Sequence, residues 1–130
     1  LKHRPSGHAM HALPAMAGMQ TGASMYRYYV AVDDDIDPVD LKQVIWAMCT
    51  RVDPAESIQI LKSWTSDLDP RLPPEKRDQG DFTMSRMLID ACKPFPWRDR
   101  FPMSNKFSAE KRKEIAEKWS RHLIQLSRSK

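Results

Sequence analysis

Glycine is scarce in this sequence. Only four glycines stand among 130 residues, and none falls into a G-x-G-x-x-G, Walker or G-x-S-x-G pattern, so the common phosphate-cradling loops and the nucleophile elbow are absent. Cysteine is scarcer still. Cys49 and Cys92 lie far apart among apolar neighbours, which excludes a CxxC metal or redox pair. They read as two buried free thiols, a single disulfide being open to them but not required. No apolar run approaches the ~18 residues of a membrane span and no signal peptide opens the chain, so a cytoplasmic protein is expected. A basic stripe is lacking too: the formal charge is +4, but 21 Lys and Arg are interleaved with 17 Asp and Glu. The densest positive stretch is the closing SRHLIQLSRSK, without interleaved aromatics, and nucleic acid is not an expected partner.

Proline is what the chain has in place of glycine. Ten prolines, most of them after residue 69, predict an extended, loop-rich second half. A hydrophobic content of 41% with 29% charged residues is ordinary for a globular domain. The length fits one domain, or part of one, able to bury about two-thirds of its unfolded surface. The chain opens on Leu1 rather than Met, with no initiating element, and is expected to be the end of something longer.

Residues 8–21 are rich in Ala and Met and predict a helix stopped by Gly22, with Pro14 acceptable only near its first turn. YYVAV (28–32) is β-prone without alternation, as in a strand covered on both faces. Asp37-Pro38 then offers an N-cap and a first helical proline. Leu41, Val44, Ile45 and Met48 recur on one helix face, and Arg51 sits favourably at the negative end. Further strands are expected at 57–61 and 86–89, with a proline-broken loop at 68–81 and an extended aromatic stretch at 93–102. Ser108 can cap a last helix whose Ile115, Trp119, Leu123 and Leu126 share a face. The order predicts an α/β fold: a small, mostly parallel sheet flanked by helices.

Four aspartates within 33–37 imitate the opening of a calcium loop. The imitation fails at Pro38, where a glycine is needed, and at Val44, where a bidentate carboxylate is needed. A carboxylate site for phosphate chemistry is harder to dismiss at the end of an α/β strand. The structural reading outweighs it: a strand end and a helix start present N–H groups that aspartates satisfy. His8 and His11 share a helical spacing but lack a third ligand, His3 lying beyond Arg4-Pro5, and His122 reads as an edge residue. The methionines and tryptophans mostly fall on periodic core faces. Trp64, Trp97 and Phe101 lie outside those faces and are candidates for a pocket or interface. The residues alone assemble no complete catalytic constellation.

The segment VAVDDDIDPVDLKQVIWAMCTRVDPAESI (30–58) resembles the carboxy-terminal region of the UbiD family of reversible decarboxylases: hydrophobic strand, D-D-[ILV] turn, and a helix reading like D-V-[LI]-W-A-[IMF]-x-T-R. Gly7-His8-Ala9, Leu68-Asp69-Pro70, MLIDACKPFPW (87–97) and EKRKEIAEKW (110–119) resemble further family motifs in the same order. The resemblance implies the carboxy-terminal domain of a larger UbiD-like protein, with 1–24 a connecting segment and helix from the flavin-binding domain and 25–130 the α/β domain with its terminal helix. It implies a carboxy-lyase acting on an aromatic or α,β-unsaturated carboxylic acid through prenylated flavin mononucleotide with Mn2+ (or Mg2+) and K+. The acid–base residues, the metal ligands and most of the flavin site would lie outside this chain.

Lys2 matches a lysine that reaches the cofactor phosphate, while Ser66 and Leu68 match positions lining the substrate pocket. His11 and Cys92 depart from the family pattern and inherit no role. The implied partners are the acid substrate, a flavin-binding domain or subunit, and further copies in an oligomer, with the last helix and Trp119 docking on a neighbour. The alternative is a non-catalytic subunit or assembly module that completes such an enzyme in trans.

Overall fold

The structure, a computed structural model, describes residues 1–2, 5–19, 26–103 and 107–128, with side chains through 120. Strands β1 (Tyr28–Val32), β2 (Ile58–Trp64) and β3 (Thr83–Ala91) form one sheet in the order β1-β3-β2. Central β3 pairs parallel with β1, from Tyr28 opposite Met87 to Val32 opposite Ala91. It pairs antiparallel with β2, from Ile58 opposite Ile89 to Trp64 opposite Thr83. The α/β class with a small flanked sheet is therefore as expected, but the sheet is mixed rather than mostly parallel. The connection through residues 65–82 doubles back, which sets β3 antiparallel to β2.

Helix α1 (His8–Gly18) begins after Gly7, whose φ of 76° lies in the left-handed region that glycine adopts without a Cβ penalty. Its buried Ala9, Leu13 and Ala17 recur every four residues, and Leu13 and Ala17 meet Leu88 of β3. Pro14 stands in the interior, not the first turn, and the helix continues past it to Gly18. The expected extension to Thr21 and the stop at Gly22 lie outside the described residues.

Helix α2 (Leu41–Arg51) covers the other face of the sheet, where Ala47 packs with Val32, Ile36 and Ala91. Its start differs from the expected one. Asp37 makes a turn instead, its carboxylate accepting from the Val39 amide at 3.0 Å. Asp40 is the cap, accepting from the Lys42 and Gln43 amides at 3.0 and 3.3 Å. The inward face is Val44, Ala47, Met48 and Arg51, while Leu41 and Ile45 remain 70% and 48% exposed. The burial of Arg51 turns this face, rather than the purely apolar one, toward the sheet.

The second half is more regular than its prolines suggested. The second and third strands both run longer than expected, to Ile58–Trp64 and Thr83–Ala91. Pro54 and Pro74 open short helices α3 (Pro54–Ser57) and α4 (Pro74–Asp78), a position where a missing N–H costs nothing. The stretch expected to be extended folds into a 3-10 segment, Phe95–Arg100. Ser108 does cap the last helix, α5 (Ala109–Arg128), accepting from the Lys111 amide at 3.2 Å. Ile115 is half-buried and Trp119 is 48% exposed; the side chains of His122, Leu123 and Leu126 lie outside the described residues.

Cys92 is buried, and burial together with the charges of Asp90 and Asp33 pushes its thiol well above the ordinary range. Cys49 is exposed rather than buried, because it falls on the outer face of α2.

Candidate functional site

Within the aspartate run, Asp33 and Asp35 are committed to cations of the chain itself. Arg51, with a 1% exposed side chain, donates through Nη1 to Asp33 at 3.2 Å and Asp35 at 2.9 Å, and through Nη2 to Asp35 at 2.8 Å. Lys93 adds its backbone N–H to Asp33 at 2.6 Å and its ammonium to Asp35 at 2.9 Å. The guanidinium carbon also lies 5.3 Å from the Trp46 ring centroid. Two-pronged pairing of this kind suits arginine and carboxylate geometry. The run therefore locks the end of β1 to α2 and to the segment after β3. Among the described residues no group of three or more His, Cys, Asp or Glu side chains is arranged to hold a metal. His8 is half-buried and His11 exposed on α1.

A second polar cluster organises the turn after β2. The Asp69 carboxylate is buried and accepts from the Thr65 hydroxyl at 2.6 Å, from the Arg71 amide at 2.9 Å and from the Arg27 guanidinium. The Thr65 hydroxyl, followed by the Arg71 amide and the Arg27 charge, holds Asp69 below the usual carboxylate range against the opposing effect of burial. Ser66 Oγ accepts from the Leu68 amide at 3.2 Å, and the Asp69 amide donates to Ser66 O at 3.1 Å. Leu72 is buried as the inner anchor, while Leu68 points outward at 74% exposure.

Asp35 is likewise held low, first by its hydrogen bond to Arg51 and then by Lys93. A carboxylate whose folded pKa is depressed stabilises the fold fully above its unfolded pKa, and that contribution is lost as pH falls through the folded value. The urea midpoint is therefore expected to hold steady from neutral pH down to about pH 5 and to fall below about pH 4. A midpoint flat to pH 2 would contradict this pairing.

Of the residues singled out in the sequence, Ser66 and Leu68 share the pinned turn, with Ser66 half-buried. Lys2 is exposed and stands apart from them. The backbone nitrogen of Leu1 donates to Val32 O at 2.7 Å, at the far end of β1, whereas Arg27 pins the Leu68 turn beside the near end. A cleft of about 500 Å³ opens beside β1 and α1, lined by Leu1, Leu13, Met16 and Tyr29, away from Leu68. Trp97 and Phe101 stack with centroids 5.0 Å apart and line a groove of about 380 Å³ with Arg51 and Glu56. Trp64 ends β2 and is 53% exposed.

Sequence reasoning missed the inward arginines. Arg27 and Arg51 hold carboxylates, and Arg86 donates to the carbonyls of Ala17 and Trp64. The signal available was that Arg51 interrupts an otherwise apolar helix face with Val44, Ala47 and Met48.

The sequence model of the 3-octaprenyl-4-hydroxybenzoate carboxy-lyase C-terminal domain matches residues 1–91. The chain belongs to the UbiD family. A protein of Aeropyrum pernix is 34% identical over 97 residues, covering 74% of this chain and 18% of that protein. The phenolic acid decarboxylase of Sedimentibacter hydroxybenzoicus is 28% identical over 95 residues, covering 73% and 19%. Among solved structures, the vanillic acid decarboxylase of the same organism in its open form aligns at TM-score 0.67 and 25% identity, over 99% of this chain and 26% of that one. Its closed form aligns at 0.64 and 26%, over 96% and 25%. The UbiD-class enzyme HmfF of Pelotomaculum thermopropionicum, in complex with FMN, aligns at 0.67 and 26%, over 85% and 23%. The chain thus spans about a fifth to a quarter of the length of the UbiD-family proteins it matches. Among the described residues no helix is long and apolar enough to cross a membrane.

Proposed function

We propose that this domain is the movable cover of a prenylated-FMN-dependent, reversible decarboxylase acting on an aromatic or α,β-unsaturated carboxylic acid. One observation carries the reading: an exposed leucine, Leu68, at the tip of a turn whose neighbours are tied down by a buried carboxylate. Burial would explain a leucine held for stability; fixed exposure suits one held for contact. Leu68 closes over the substrate ring, Ser66 lines the pocket beside it, and Lys2 presents an ammonium to the cofactor phosphate. Lys2 and Leu68 lie at opposite ends of β1 and would touch different parts of an extended cofactor–substrate pair.

The prenylated flavin, when bound, supplies the electron sink for loss of carbon dioxide. Lys2 suits a dianionic phosphate as a compact point charge. The family resemblance puts the rest of the flavin site, and the Mn2+ or Mg2+ and K+ sites, outside this chain; within it, Asp33, Asp35 and Asp69 already serve arginines and a lysine. The contribution of this chain is to exclude water and to hold the ring of the substrate. The near-equal match to the open and closed forms of the vanillic acid decarboxylase supports a cover that moves without refolding. In that reading residues 1–24 lead in from the flavin-binding domain, and α1, packed on the sheet, moves with 25–130. Trp119 on α5 docks on a neighbouring copy in the oligomer, and the assembly works in the cytoplasm.

Leu68→Ala tests the role directly. In the assembled enzyme it is expected to change the kcat/KM ratio between two benzoic acids differing by a ring methoxyl by about tenfold. The urea midpoint is expected to stay within the small range of a surface substitution. An unchanged substrate profile would remove Leu68 from the pocket. The second reading, a non-catalytic module that completes the enzyme in trans, gains if an initiation codon directly precedes Leu1; a flavin-binding half encoded in frame supports the first.

A further inference from the structure

We infer that Asp69 is the positioning residue for Leu68, fixing the substrate-facing turn by tying together three separate parts of the fold; this rests on the proposed contact of Leu68 with substrate. Its carboxylate binds the Thr65 hydroxyl at the end of β2, the Arg71 amide within the turn, and the Arg27 guanidinium just before β1. Thr65 is itself fixed to the strand side, its amide donating to Phe82 O at 2.9 Å. The turn is closed internally as well, the Leu72 amide donating to Asp69 O at 3.0 Å. Leu72 plugs inward at 3% exposure and Leu68 projects at 74%, so the two apolar residues of one short turn have opposite duties.

The chemistry explains why an aspartate stands here. A carboxylate offers only acceptors, and each of its three partners is a donor. An asparagine brings an NH2 group where donors already point and leaves Arg27 without its countercharge. The turn then samples other conformations, and Leu68 no longer meets the substrate ring in one place. A positional error of about 1 Å is enough to lower the rate strongly when a site works by orientation.

The test uses the assembled enzyme with three variants: Leu68→Ala, Asp69→Asn and Thr65→Val. Thr65→Ser, which keeps the hydroxyl, is the conservative control. Asp69→Asn and Thr65→Val are expected to shift the kcat/KM ratio between the two benzoic acids in the same direction as Leu68→Ala, by about fivefold to tenfold. They are also expected to speed hydrogen exchange at the amides of Leu68, Arg71 and Leu72, with Thr65→Ser matching the parent in both readouts. If Leu68→Ala shifts the ratio while a folded Asp69→Asn leaves it unchanged, the positioning role is wrong and the Leu68 contact stands. If none of the three shifts it, the contact itself is wrong and the inference falls with it. Should Asp69→Asn fail to fold, Thr65→Val, which removes one hydrogen bond, decides in the same two ways.

Discussion

Arg51→Met is expected to cost about 3–5 kcal/mol, the range for removing one member of a buried ion pair. Arg51 and Asp33 have side chains only 1% and 5% exposed, so the carboxylate left behind has little water to turn to. Asp33 would keep the Lys93 amide at 2.6 Å, but a backbone amide carries no full charge to balance the carboxylate. For a domain of this length the loss corresponds to a fall of very roughly 10–20 °C in Tm. The double variant Arg51→Met/Asp33→Asn isolates the cause. Asparagine keeps an acceptor for the Lys93 amide and removes the stranded charge, so the double variant is expected to be more stable than Arg51→Met alone. A double variant that simply adds two losses would show that charge burial is not what matters.

Leu88→Ala is the second large effect. Leu88 is 1% exposed on the central strand and packs against Leu13 and Ala17 of α1. The small Ala17 and Ala31 nearby cannot fill the space, so the cost is expected near about 3–5 kcal/mol, transfer loss and cavity together. That is a large share of the ~5–15 kcal/mol that holds a domain folded. Leu68→Ala deletes the same atoms at 74% exposure and is expected to leave stability almost untouched. The same chemical change thus separates a residue that holds the fold from one held by it. Comparable urea midpoints for the two variants would contradict this division.

The legibility of the chain follows from which signals are local. YYVAV reads as a strand because β-branched and aromatic residues stand together, and Tyr28–Val32 is one. The start of α2 was misplaced because Asp37-Pro38 carries the local chemistry of a cap and a first helical proline. Asp40 prevails by engaging two amides of the first turn, leaving Asp37 to shape the approach. The ends of β2 and β3 were missed because Lys62, Ser63, Thr83 and Ser85 lack strand-like hydrophobicity, yet pairing across the ladder holds them in it. Cross-strand partners are far apart in sequence and invisible to a local pattern. The inward turn of Arg51 depends on Asp33 and Asp35, 18 and 16 residues away. At the candidate site, periodicity said nothing about Lys2, Ser66 or Leu68, which came from family resemblance alone. The Asp69 cluster needed the fold, since Arg27 lies 42 residues from its partner.

The most direct measurement of the central claim mixes this chain with the proposed flavin-binding counterpart, expressed separately and loaded with cofactor, and follows carbon dioxide release from an aromatic acid. Neither part alone is expected to release it, and the mixture is expected to do so with the two parts associating. Turnover by this chain alone, or two parts that never associate, would contradict the account.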